Sequence, residues 1–253
     1  MELGLRDHKV LVTGGTRGIG RATVDAFAAE GASVGFCARS ADQVSVTVDA
    51  LKQQSVTAVG RALDIADADA LRAWVEHCAA ELGGVDVVVA NVSALAIPST
   101  EDNWKRSFDV DMMGTVRLVD AAMPYLERSP APAIVAISSV SGREIDFAAG
   151  PYGTFKAAMV HYVQGLAYQL ADKGIRANVV TPGNTYFEGG IWHSVQHENP
   201  ELYDHVMSLN PTGHMGTPEE IARSVVFVAS PLSSRTSGAN LVVDGALTRG
   251  VQL

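Results

Sequence analysis

Seven short runs of β-branched and small apolar residues recur along the chain, separated by alanine-rich segments, and this rhythm leaves few folds open. The runs lie at 9–13, 32–37, 56–60, 85–90, 133–137, 175–180 and 240–243. Within each, apolar residues follow one another instead of alternating with polar ones. That is the pattern of strands covered on both faces, and hence of a parallel sheet. The segments between them, near 18–30, 41–53, 67–82, 101–128, 151–172 and 218–230, have helical composition. Strand and helix repeated in this way predict one doubly wound α/β domain over residues 1–253, with a seven-stranded parallel sheet between layers of helices.

Some helix starts are marked in the sequence. Thr217-Pro-Glu-Glu220 reads as a capping box with proline at the first helical position, and Ser40-Ala-Asp-Gln43 as a second box. The rhythm fails at 183–216, a stretch rich in Gly, His, Asn and aromatic residues, which is expected to form a lid over a binding site. Apolar runs are too short to span a bilayer. The first residues lack a basic segment followed by an apolar one, so no secretory signal is expected. Two cysteines make no disulfide framework, and the expected setting is a reducing, cytoplasmic one. A net charge of −9 without a basic cluster argues against nucleic acid and anionic membrane as partners.

Directly after the first run comes Thr13-Gly-Gly-Thr-Arg-Gly-Ile-Gly20. Glycines at 14, 18 and 20 allow a sharp turn and close approach of the backbone, through Thr16 to Ile19, to a pyrophosphate seated at a helix N-terminus. An ordinary glycine turn between strand and helix is the alternative. A dinucleotide with a free ribose 2′-hydroxyl calls for a carboxylate about twenty residues further on. The second run ends instead in Cys37-Ala-Arg-Ser40, with no acid. Arg39 and Arg17 together suit a 2′-phosphate, which argues for NADP(H) over NAD(H), although two solvated arginines would look the same.

Tyr152 and Lys156 stand four residues apart in a predicted helix, so their side chains share one face. A phenol titrating near ~10 is a poor acid or base at neutral pH, and an ammonium beside it favours the phenolate. Taken alone, the pair is also what a solvated helix face carries. Ser139 lies thirteen residues upstream of Tyr152, at the end of the 133–137 run.

Taken together these residues resemble the short-chain dehydrogenase/reductase family, whose members include 3-oxoacyl-(acyl-carrier-protein) reductases. The likeness rests on Thr13-Gly14-x-x-x-Gly18-x-Gly20, Asp64, Asn91, Ser139, Tyr152, Lys156, Pro182-Gly183 and Val243-Asp244-Gly245, in family order and spacing. It implies a Rossmann-like fold and an NAD(P)-dependent oxidoreductase acting on a carbonyl or secondary alcohol. By that resemblance Tyr152 is the general acid or base, Lys156 assists it and bonds the nicotinamide ribose, and Ser139 polarises the substrate oxygen. Asp64 and Ile65 flank the adenine, Asn91 the adenosine, Ile19 the pyrophosphate, and Pro182, Gly183 and Thr185 the carboxamide. It further implies a homo-oligomer, a tetramer pairing the helices near 101–128 and 151–172.

Three positions depart from the family. Asp111 stands where an asparagine supports a proton relay to the lysine, Ser93 where a glycine is usual, and Phe187 where a threonine touches the carboxamide. The substrate pocket is expected to include Val140, Ser141 and Phe147, with Tyr186, Phe187, Trp192 and Tyr203 from the lid. An apolar lining of this kind accepts a β-keto thioester, a cyclic ketone or a polyketide-like molecule. His193 and His197, four apart, have zinc-ligand spacing, but no third ligand is placed, and no metal is expected. The reading is therefore a ketone or 3-oxoacyl reductase using NADP(H). A secondary-alcohol or polyol dehydrogenase, and a catalytically silent cofactor-binding sensor, are the alternatives.

Overall fold

The structure, a computed structural model, describes residues 2–250. Seven parallel strands form one sheet in the order β3-β2-β1-β4-β5-β6-β7. They are β1 Lys9–Thr13, β2 Ser33–Ala38, β3 Ala58–Ala62, β4 Val87–Ala90, β5 Ala133–Ile137, β6 Arg176–Pro182 and β7 Asn240–Val243. The central strands are buried on both faces, β4 and β5 completely, which is why they read as unbroken apolar runs.

Helices α1 Gly18–Ala29, α2 Ala41–Gln53 and α9 Pro218–Ala229 cover one face. There Val24, Phe27, Leu51, Ile221 and Val225 pack on Val10, Val12, Val87 and Val135. Helices α3 Ala68–Leu82, α5 Gly114–Leu126 and α6 Pro151–Gln169 cover the other, with Leu71, Trp74, Leu118, Met159 and Val163 against Leu11, Val88 and Ile134. The strand order reverses once, between β1 and β4, which sends the following helices to opposite faces and leaves a crevice at the strands' C-terminal ends.

The segment expected to be one helix over 101–128 is interrupted. Helix α4 Glu101–Ser107 passes into a π-helical turn, Phe108–Met113, before α5 resumes. The wider turn re-aims its side chains, and it carries Asp111 inward, where its side chain is 1% exposed. The lid also contains two helices that the sequence reading left unassigned, α7 Ile191–Glu198 and α8 Pro200–Ser208. The ends of the lid are stitched by Gly216 N donating to Asn184 O at 2.8 Å and Tyr186 N to Gly216 O at 2.9 Å. Of the two predicted capping boxes, that at Thr217 and Glu220 is complete. The one at Ser40 is half formed, since Gln43 N bonds Ser40 Oγ while the Gln43 side chain turns to accept from Thr16 Oγ1.

Candidate active site

A cleft of about 890 Å³ opens along the C-terminal ends of β1, β4, β5 and β6 and runs beneath the lid. Its first half is the glycine loop. Gly14 N and Gly15 N donate to Cys37 O at 2.8 and 3.1 Å, and Asn91 Nδ2 ties down Thr13 O at 2.9 Å from the β4 side. A Cβ at Gly20 would stand 2.1 Å from Gly14 O, so the loop closes only with glycine there. Gly14 and Gly18 take φ of 72° and 53°, the left-handed region that glycine enters freely. The loop therefore presents the first turn of α1, with its unpaired N–H groups, as a seat for an anion.

Arg17 and Arg39 both line this half, and neither is ion-paired to a carboxylate among the described residues. Thr16, Ile19, Asp64, Ile65 and Asn91 line it as well. A glycine cradle, a helix N-terminus and two available guanidinium groups fit a phosphorylated dinucleotide.

Phe187, expected at the substrate, lines the cleft. Its ring also covers the glycine loop, so close that a Cβ on Gly18 would meet it at 2.6 Å. Tyr186 and Tyr203 do not line the cleft. Their rings pack edge to face at 6.2 Å in a small core of the lid with Trp192, Val206 and Met215. These aromatics bury one another in a cluster separate from the two that flank the sheet.

The second half of the cleft brings together Ser139, Val140, Ser141, Phe147, Tyr152, Lys156, Pro182, Gly183, Thr185 and Trp192. Ser139 leaves β5 in extended conformation and caps a short 3-10 turn, its Oγ accepting from Ser141 N at 3.2 Å. With that lone pair engaged, its own O–H is free to donate into the cleft. Tyr152 sits in the first turn of α6, whose start has Pro151 at its first position. Glycines at 142 and 153 allow the turn after Ser139 to lie directly on α6, since a Cβ on Gly153 would meet Ser141 O at 2.6 Å.

Lys156 is buried, its Nζ 5.7 Å from the centre of the Tyr152 ring. That ammonium donates to Ile137 O at 2.9 Å and faces Asp111 Oδ1 at 3.5 Å. The other Asp111 oxygen accepts from Ala94 N at 3.1 Å. Asp111 thus compensates the buried cation directly and fastens the loop after β4 to it.

The rings of His193 and His197 lie 4.7 Å apart on α7, tilted by 53°, with no third His, Cys, Asp or Glu to complete a metal set among the described residues. Cys37 is fully buried, and burial pushes its thiol up to about 12. The sequence reading missed Asn184 and Asp146, which also line the cleft. Asp146 lies in the Ser139-to-Tyr152 interval, whose irregular path the sequence does not signal.

Residues 14–248 match the family model described as enoyl-(acyl carrier protein) reductase. The chain belongs to the short-chain dehydrogenase/reductase family. It is similar to isoepoxydon dehydrogenase of Penicillium expansum, 42% identical over 256 residues and 98% of each chain. It is also similar to a 3-oxoacyl-(acyl-carrier-protein) reductase of Thermotoga maritima, 30% identical over 94% of this chain and 96% of that one. Among solved structures, L-sorbose reductase of Gluconobacter frateurii, complexed with NADPH and L-sorbose, superposes with a TM-score of 0.92 at 25% identity, covering 99% and 100% of the two chains. The fold and the oxidoreductase class expected from the sequence both stand.

Proposed function

We propose that this short-chain dehydrogenase/reductase interconverts a carbonyl group and a secondary alcohol on a small molecule, with NADP(H) as partner. The observation that supports it best is the convergence of Ser139, Tyr152 and Lys156 on the same cleft as the glycine loop and its two arginines. When bound, the nicotinamide supplies or accepts the hydride at the substrate carbon. Ser139 donates its hydroxyl proton as a hydrogen bond to the substrate oxygen and holds it in place. Tyr152 delivers a proton to that oxygen in reduction and removes one in oxidation. Lys156, beside the ring, stabilises the negative charge that develops on the phenol oxygen as the proton leaves. Asp111 keeps Lys156 in position.

Arg17 and Arg39 support the preference for the 2′-phosphorylated cofactor, as does the NADPH in the sorbose reductase relative. We further propose a homo-oligomer built on the outer face of α4 and α6. Trp104, Phe108 and Phe155 cluster there at 6.0 Å between rings, and Tyr168 is 87% exposed. A cytoplasmic setting accords with the two unpaired, buried thiols; among the described residues, no helix is long and apolar enough to cross a membrane.

The test is oxidation of NADPH and NADH against a panel of ketones, with the wild-type chain and Arg39→Asp. Turnover with NADPH at least about tenfold better than with NADH is expected, because one charged contact to phosphate is worth that much. The preference should collapse in the variant. Equal use of the two cofactors by the wild type, or an unchanged ratio in Arg39→Asp, contradicts the proposal.

A further inference from the structure

Two carboxylates lie on the loop between Ser139 and Tyr152, and the chemistry above uses neither. Glu144 is exposed and turned away, its Oε1 accepting from Arg249 N at 3.1 Å. Asp146 is half-buried and lines the cleft. Its Oδ2 accepts from Ser141 Oγ at 2.7 Å and its Oδ1 from Ala148 N at 2.8 Å. No Lys, Arg or His pairs with it among the described residues.

An ionised carboxylate offers about four acceptor positions, and the protein fills two of these. Through Ser141, whose backbone N–H bonds Ser139 Oγ, Asp146 is linked by two hydrogen bonds to the serine proposed to hold the reacting oxygen. The neighbouring lining includes buried Val140 and Trp192 and the more exposed Phe147, the two rings edge to face at 6.0 Å. A charged acceptor with spare capacity in such a wall favours a neutral hydrogen-bond donor from the ligand and disfavours a second negative charge.

We propose that Asp146 accepts a hydrogen bond from a substrate hydroxyl near the reacting carbon. The enzyme is therefore specific for a small hydroxylated ketone or the corresponding polyol, and turns acidic substrates away. The proposal rests on the carbonyl/alcohol reading and narrows its substrate class. A purely structural role, bracing the loop, is the competing account. Asp146→Asn separates the two, because the amide oxygen still accepts from Ala148 N and the amide nitrogen can donate to Ser141 Oγ. The loop keeps its bonds while the charge and the spare acceptor on the Ser141-facing oxygen are lost.

The experiment measures kcat/KM for NADPH-dependent reduction of cyclohexanone, 2-hydroxycyclohexanone and 4-oxocyclohexanecarboxylate. The wild type should prefer the hydroxyketone to cyclohexanone and cyclohexanone to the keto acid. In Asp146→Asn the preference for the hydroxyketone should fall by about 10- to 100-fold, mainly through KM, as for loss of a hydrogen bond to a charged group. The discrimination against the keto acid should shrink alongside it. A hydroxyketone-to-ketone ratio that the substitution leaves unchanged overturns the proposal, and so does an equal loss on all three substrates. Should the variant fail to fold, the wild type alone decides: reduction of the keto acid as fast as of the hydroxyketone is fatal. Turnover of ketones without these preferences sinks only the present proposal, whereas NADPH binding with no turnover of any ketone sinks the underlying reading along with it.

Discussion

Replacing Asp111 by asparagine removes one charge from the interior and almost nothing else. The amide has the volume of the carboxylate and retains an oxygen that can accept from Ala94 N. What disappears is the partner of the Lys156 ammonium, 3.5 Å away, with the two side chains 1% and 3% exposed. At that separation and an effective dielectric of about 20, the lost attraction is about 5 kcal/mol. Removing one member of a buried pair costs about 3–5 kcal/mol in practice, because the other charge is left with only the Ile137 carbonyl for company. We expect Asp111→Asn to lower the unfolding free energy at neutral pH by about 3 kcal/mol in guanidinium titration. Adding Lys156→Met should restore much of it, since no buried charge is then stranded. Stability within about 0.5 kcal/mol of wild type, or strictly additive single effects, would refute the assignment of this pair.

Two further outcomes follow from other parts of the site. Phe187→Thr uncovers Gly18 and the helix N-terminus, so NADPH should bind several-fold more tightly by nicotinamide fluorescence; unchanged or weaker binding shows that the ring does not obstruct the seat. Burial pushes the Cys37 and Cys78 thiols from 9.0 up to about 12, which makes the folded state prefer protonated sulfur. Stability from these groups is fully present below pH 9 and is lost progressively between there and about 12, so a Cys37→Ala/Cys78→Ala chain should show a flatter alkaline limb. A thiol reagent that titrates both cysteines of the native chain at pH 8 within minutes contradicts their burial.

What was legible in the sequence follows what burial dictates. The runs at 9–13, 133–137 and 240–243 match β1, β5 and β7 residue for residue, because their ends coincide with glycine, proline or polar breaks. The edge strand β3 starts two residues later than expected; it is only partly buried, so its apolar residues carry a weaker signal. Apolar periodicity through 101–128 continues across the π-helical turn, and a turn wider by one residue changes which side chains face inward without changing composition. The lid residues Tyr186 and Tyr203 looked like pocket lining because exposed aromatics usually are. Their packing on Trp192 depends on helices α7 and α8, whose short amphipathic patterns do not stand out beside the sheet helices. The positions of Ser139, Tyr152 and Lys156 in one cleft could be anticipated from spacing, since a strand end and a helix start fix all three. The position of Asp146 could not, because it depends on the path of an irregular loop.

In the proposed reaction the Tyr152 hydroxyl is the proton donor to the substrate oxygen. Single-turnover mixing of ketone with the NADPH-loaded chain, comparing wild type with Tyr152→Phe, tests that directly. The cofactor should bind both with similar affinity, and the rate of NADPH oxidation should drop by about 10²- to 10⁴-fold in the variant. A variant that keeps more than a tenth of the wild-type rate would show that another group supplies the proton.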